Sequence, residues 1–230
     1  TFANTYPHLD LLVNNAGVMG PPYTITQNNL ELQFDANHIG HFYLTSLLFE
    51  RLDQPFETRV ISVTSLAARY PSADIHFDNL NFEGSYEDGP QLMGLKGMDA
   101  YAQSKLANLL FALELNERVS QAGKQIKSIV VHPGTSFTDL GRNAGPLIRL
   151  LLPLVFPFFN ASRPADGARP ALYAALNREV ESGDFIAPTG KEERTGKPGR
   201  VPLPPKALEN GLGDRLWTLS EQELGVPFAF

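Results

Sequence analysis

Cysteine is absent from this chain of 230 residues. Its absence excludes disulfide scaffolds, thiolate metal sites and cysteine nucleophiles from the sequence. The opening residues, TFANTYPHLD, also lack the basic stretch and following apolar stretch of a secretory signal peptide. Both observations fit a reducing compartment, so we expect a cytoplasmic location.

Basic residues are few. The chain holds 19 Lys and Arg against 25 Asp and Glu, which gives a formal net charge of -6. Proteins that bind nucleic acid usually have a basic face, so we expect no nucleic-acid partner.

Long hydrophobic runs are missing too. The most apolar segment, PLIRLLLPLVFPFF at residues 146–159, is too short to cross a bilayer and contains Arg149, Pro153 and Pro157. We therefore predict no membrane span and interpret this segment as a buried or substrate-facing flap. A contact with one membrane face is the alternative interpretation.

Apolar residues make up 43% of the chain and follow alternating strand-like and helical patterns. Residues 9–17 form an apolar run without alternation, which is typical of a parallel strand covered on both faces. Further strand-like runs occupy residues 58–65 and 127–134, and helical spacing occupies residues 29–51, 100–121 and 163–180. This order predicts an α/β fold with a doubly wound, Rossmann-like parallel sheet.

The C-terminal part is rich in proline and glycine. GDFIAPTG at residues 183–190 is expected to form a last edge strand, and TGKPGRVPLPP at residues 195–205 an extended surface loop. Because this loop does not resemble a domain linker, we predict a single domain over residues 1–230.

Polar or glycine residues follow the three main strands, as NNAG at 14–17, TS at 64–65 and HPG at 132–134. Ligands of open α/β sheets bind beyond the carboxyl ends of the strands. These three segments are therefore candidates for a binding site.

Tyr101 and Lys105 lie four residues apart in AYAQSKLANLLFALEL, so a helix would present both on one face. An isolated tyrosine has a pKa near 10, and a neighbouring ammonium would lower it toward the range useful in acid–base catalysis. Ser65, at a strand end, could then orient a substrate oxygen. The alternative is a chance pair of amphipathic side chains at a helix edge.

The combination of motifs resembles the short-chain dehydrogenase/reductase family. The Tyr-x-x-x-Lys pair in YAQSK, NNAG at a strand end, VTS, FDANHIGHF and HPG occur in the order typical of that family. NHIGHF, YAQSKLANLLFALEL and LWTLSE further resemble its retinol dehydrogenase-like branch.

The resemblance implies a hydride-transfer enzyme that uses NAD or NADP. It implies catalytic roles for Tyr101 as acid and base, Lys105 on the tyrosine and the ribose, Ser65 on the substrate oxygen, and Asn37 on a relay water. It also implies a cofactor site formed by Asn14, Ala16, Gly17, Tyr101, Lys105, Pro133, Gly134 and Thr138. Members of the family often pair through the helix that bears the tyrosine, so a homo-oligomer is a further expectation.

The chain departs from the family pattern in one respect: no glycine precedes NNAG. The Gly-rich loop that holds the pyrophosphate belongs to a first strand–helix–strand unit of about 30 residues. We therefore expect the domain to be N-terminally incomplete, with weak dinucleotide binding by the polypeptide as written.

The predicted function is oxidation or reduction of a small hydrophobic alcohol or carbonyl substrate. Two alternatives stay open: a nucleotide-sugar epimerase, which uses the same Tyr-x-x-x-Lys pair, and a non-catalytic binding or scaffold protein. No metal site is expected, because His38, His41 and His132 lack metal-ligand spacing and fit packing roles better. Trp217 is interpreted as a core anchor of a C-terminal helix.

Overall fold

The computed structural model describes residues 2–87, 96–135 and 163–230. Its centre is a five-stranded sheet in the order β1-β2-β3-β4-β5. The strands are β1 (Leu11–Asn14), β2 (Thr58–Val63), β3 (Ile126–Val131), β4 (Phe185–Pro188) and β5 (Pro198–Arg200). The first four are parallel and β5 is antiparallel to β4. This architecture confirms the predicted α/β, Rossmann-like fold.

Helices connect and cover the strands. They are α1 (Phe2–Thr5), α2 (Leu32–Phe34), α3 (Gly40–Leu52), α4 (Met98–Gln121), α5 (Pro164–Gly167), α6 (Arg169–Leu176) and α7 (Leu212–Leu224). A π-helical turn, Asp35–Ile39, joins α2 to α3. Short 3-10 turns lie at Leu66–Arg69, Lys191–Glu193 and Pro205–Leu208.

The hydrophobic core lies on both faces of the sheet. Val60 packs with Phe42 of α3 and Phe111 of α4, whereas its neighbour Ile61 packs with Ala174 of α6. Successive residues of a strand point to opposite faces, so α3 and α4 cover one face and α6 covers the other. The helices on the two faces therefore bury the interior strand β2 along its whole length.

The C-terminal helix α7 packs on the α3/α4 side. Its Trp217 is 1% exposed and stacks on Phe111, with ring centroids 5.8 Å apart. Trp217 also meets Phe42 edge-on at 4.8 Å. The prediction that Trp217 anchors a C-terminal helix is confirmed.

Two predictions about the sheet were wrong. β1 is not covered on both faces by the described residues: it lies at the sheet edge, and Leu11 and Val13 are 37% and 40% exposed. β4 is not the last strand, because Pro198–Arg200, inside the predicted surface loop, pairs with it as β5. Pro198 is tolerated there because it begins an edge strand.

Candidate active site

The candidate site lies at the carboxyl ends of β1, β2 and β3. The NNAG segment leaves β1, Ser65 follows β2, and Pro133 and Gly134 follow β3. Since these strands are parallel neighbours, the three segments share one edge of the sheet. Helix α4 begins beside this edge and supplies Tyr101 and Lys105 from its first two turns.

Asn37 lies in the π-helical turn between α2 and α3 and fixes the segment after β1. Its side-chain oxygen accepts from the Val18 N–H at 2.7 Å, and its Nδ2 donates to the Val18 carbonyl at 3.0 Å. The second Nδ2 hydrogen goes to Ser104 Oγ of α4 at 2.9 Å. Asn37 is fully buried and joins the NNAG segment to the helix that bears Tyr101 and Lys105.

Tyr101 lies next to Ser65, and the two side chains share a hydrogen bond. Burial raises the pKa of Tyr101 to about 12, although the Ser65 bond works in the opposite direction. The Ser65 Oγ also caps the following 3-10 turn by accepting from Ala67 N–H at 3.2 Å. The structure thus brings these two predicted residues together, and the phenol stays protonated at neutral pH.

Lys105 is 5% exposed, and its ammonium lies 5.8 Å from the centroid of the Tyr101 ring. Burial lowers the pKa of Lys105 to about 8, which leaves the amine largely charged at neutral pH. The expected lowering of the tyrosine pKa by Lys105 is not found in this structure: burial raises the Tyr101 pKa, because it disfavours the charged phenolate.

The hydrogen bonding of Lys105 leaves room for a ligand. Among the described residues, its ammonium donates to the Val63 carbonyl at 3.3 Å. An ammonium has three hydrogens, so two more acceptors can be bound. Ribose hydroxyls, which the resemblance assigns to this lysine, are acceptors of this kind.

The backbone around Gly17 leaves space for a ligand to approach closely. A Cβ at Gly17 would lie 2.7 Å from Asn37 Oδ1 and 3.5 Å from the Lys105 ammonium. Ala16 and Gly17 are both exposed at the sheet edge. This open backbone beside an ammonium fits a dinucleotide bound along the strand ends.

Pro133 and Gly134 form the turn after β3. Gly134 has a φ of +71°, and a Cβ there would collide with the Arg194 carbonyl. Thr135 N–H donates to the same carbonyl at 2.9 Å. Glycine is therefore required for both backbone conformation and packing at this position.

Two predicted cofactor residues differ from the others. Asn14 is 1% exposed, and its Nδ2 donates to Thr45 Oγ1 of α3 at 2.9 Å. Its side chain therefore joins the end of β1 to α3 and is not open to a ligand. Thr138 lies outside the described residues, as does the apolar segment 146–159.

A partly buried charged cluster beside the Pro133–Gly134 turn was not predicted from the sequence. Glu193 Oε2 lies 2.8 Å from His132 Nε2 and 2.9 Å from Arg69 Nε. The cluster ties the ends of β2 and β3 to the Lys191–Glu193 turn. Ser104, which bonds Asn37, was also missed, although its position between Tyr101 and Lys105 was a usable signal.

The described parts of the chain show neither a candidate metal site nor a candidate membrane span. There, no three His, Asp or Glu side chains converge in a way that could hold a metal ion. Within the same residues, no helix combines the length and apolar character needed to span a bilayer.

Comparisons with known proteins identify relatives of this chain. A family model described as short chain dehydrogenase matches residues 1–76. Human retinol dehydrogenase 14 is 37% identical over 228 residues, which cover 96% of this chain and 60% of that protein. The chain thus spans less than two thirds of the length of this curated relative.

Solved structures show the same fold. An uncharacterised protein from Mycobacterium paratuberculosis superposes with a TM-score of 0.75 at 33% identity, covering all of this chain and 72% of that one. RhlG of Pseudomonas aeruginosa, solved as an active-site complex with NADP, superposes with a TM-score of 0.55 at 21% identity, covering 80% and 66%. The chain belongs to the short-chain dehydrogenase family.

Proposed function

We propose that the protein is an NAD- or NADP-dependent oxidoreductase that interconverts a hydrophobic alcohol and its carbonyl compound. The observation that supports this best is the meeting of Tyr101, Lys105 and Ser65 at the sheet edge. A buried phenol beside both an ammonium and a hydroxyl is arranged to move a proton at one substrate oxygen.

The cofactor would lie across the strand ends. At Ala16 and Gly17 the cofactor would approach the protein backbone closely. Pro133 and Gly134 would border the nicotinamide, and Thr138 stays the proposed partner of the carboxamide. Lys105 would donate to the ribose hydroxyls. When bound, the nicotinamide ring supplies or accepts the hydride.

Tyr101 would handle the proton. In reduction its hydroxyl donates a proton to the carbonyl oxygen, and in oxidation its phenolate accepts the proton of the alcohol hydroxyl. Ser65 would orient the substrate oxygen, while the Lys105 ammonium stabilises the phenolate when it forms. Asn37 would hold the segment after β1 in place and support a relay water.

The substrate class is proposed from the relatives. Human retinol dehydrogenase 14 is named for an apolar polyene alcohol, and its similarity covers 96% of this chain. The sequence of the apolar segment 146–159 was interpreted as a buried or substrate-facing flap. Both point to a hydrophobic alcohol rather than a polar sugar.

The test uses the full gene product. Retinol is offered with NAD or NADP, and formation of the reduced cofactor is followed; a nucleotide sugar is the comparison substrate. We expect reduced cofactor with retinol or another hydrophobic alcohol and no epimerised sugar. Tight cofactor binding without turnover of any hydrophobic alcohol would instead favour a non-catalytic binding protein.

A further inference from the structure

Several buried polar atoms behind Lys105 have no hydrogen-bond partner among the described residues. They are Asn14 Oδ1, Ser62 Oγ, Asn108 Oδ1 and both ring nitrogens of His41. His41 is 6% exposed, and the other three side chains are 1% exposed. Such atoms are rarely left unpaired in a folded protein, because desolvation without a partner costs free energy.

The strands bring Asn14 and Ser62 together. The two residues are direct partners in the register of β1 and β2, so their side chains lie on the same face. That face is the one covered by α3, because Asn14 donates to Thr45 of that helix.

The helices bring His41 and Asn108 to the same place. Thr45 accepts the bond from Asn14 and donates to the His41 carbonyl at 2.7 Å, which puts His41 one turn away on α3. From α4, Asn108 Nδ2 and the Lys105 ammonium donate to the same Val63 carbonyl, at 3.2 and 3.3 Å. The unpartnered atoms therefore lie in the layer between strands β1 and β2 and helices α3 and α4, which also holds the buried side chain of Lys105.

The chemistry of these groups selects the ligand. Amide oxygens, a hydroxyl and a neutral imidazole offer both donors and acceptors without net charge, and Lys105 opposes a cation. Burial, then the charge of Lys105, lowers the pKa of His41 to about 4, whereas the nearby Asn37 carbonyl acts in the opposite direction. His41 is thus neutral at physiological pH, and water is the molecule that matches the set.

We propose that Asn14, His41, Ser62 and Asn108 bind ordered water behind Lys105, and that His41 is a positioning residue that holds the Lys105 ammonium through this water. The water site stands on the orphaned atoms alone. The benefit to catalysis rests on the proposed function, because Lys105 matters only if Tyr101 transfers a proton.

The first test is a crystal structure of the full gene product at a resolution that shows ordered water. We expect at least one water about 3 Å from a His41 ring nitrogen and from Asn14 Oδ1 or Asn108 Oδ1. A dry pocket, or side chains that rotate to pair with one another, would overturn the proposal. This test does not depend on activity.

The second test measures the titration of Lys105 by NMR with isotope-labelled lysine, and Lys105→Met identifies the signal. His41→Phe removes the donor and the acceptor of the neutral imidazole from the water, so the charged amine loses support and its pKa should fall by about one unit. His41→Gln keeps a polar group and should restore most of the shift.

His38→Phe is the matched control. His38 is also a buried histidine in the same helical segment, but its Nε2 lies 2.8 Å from Ser220 Oγ of α7. The control should leave the Lys105 titration unchanged. An unchanged or raised Lys105 pKa in folded His41→Phe would contradict the positioning role. If His41→Phe does not fold, the same comparison is made with Asn108→Leu.

Discussion

Replacing Gly17 by alanine tests whether the segment after β1 is held against Asn37. The new Cβ would lie 2.7 Å from Asn37 Oδ1, which is closer than such atoms approach. Asn37 must then move, and its 2.7 Å bond from the Val18 N–H is weakened or lost. A buried amide left unpaired costs about 1–3 kcal/mol, so we expect a loss of that size in the free energy of unfolding.

Gly40→Ala is the matched control. Gly40 is the first residue of α3, and a Cβ there would meet only the Asp35 carbonyl at 3.5 Å, an ordinary contact. Alanine in a compatible helical position should stabilise the protein by about 0.4–1 kcal/mol. Urea unfolding of both variants measures the difference, and cofactor titration should show weaker binding in Gly17→Ala alone. If the two variants are equally stable and bind cofactor equally, the proposed clamp is wrong.

Three further predictions concern the site and the core. Ser65→Ala removes a hydrogen bond that lowers the Tyr101 pKa, so the pH–rate profile for alcohol oxidation should shift to higher pH. An unshifted profile would show that Ser65 does not influence the Tyr101 pKa. Trp217→Ala should lower the free energy of unfolding by about 3–5 kcal/mol in a urea titration, and a loss below 1 kcal/mol would contradict its role as anchor. Burial lowers the pKa of His38 to about 3, so below pH 6.5 this residue takes up a proton in the unfolded chain but not in the folded chain. The free energy of unfolding therefore falls as the pH drops below 6.5, by about 2 kcal/mol at pH 5 from this residue. His38→Phe should flatten that part of the dependence when unfolding is compared at pH 7 and pH 5, and an equally steep dependence would be the contrary result.

Most of the fold was predictable because the apolar patterns are long. The helix predicted for residues 100–121 is observed as Met98–Gln121, and the three predicted main strands are all present. β5 was not predictable, because its three residues, Pro-Gly-Arg, pair through backbone groups and have no apolar pattern. The exposure of β1 depends on sheet order, which short-range patterns do not determine.

The site was predictable where a motif fixes the spacing. Tyr101, Lys105, Ser65 and Asn37 were expected together and are all found near the same sheet edge. The bond from Asn37 to Ser104 needs the exact geometry of the π-helical turn, which sequence spacing does not show. The His132–Glu193 contact joins residues 61 positions apart, so no local pattern could indicate it.

The function proposed for Tyr101 is tested most directly by Tyr101→Phe in the full gene product at saturating cofactor. Tyr70→Phe makes the same chemical change on a neighbouring phenol that is 41% exposed. We predict that Tyr101→Phe binds cofactor like the wild type but loses turnover of the hydrophobic alcohol by about 100-fold or more, while Tyr70→Phe keeps it. Turnover by Tyr101→Phe at the rate of Tyr70→Phe would contradict the proton-transfer role and with it the proposed mechanism.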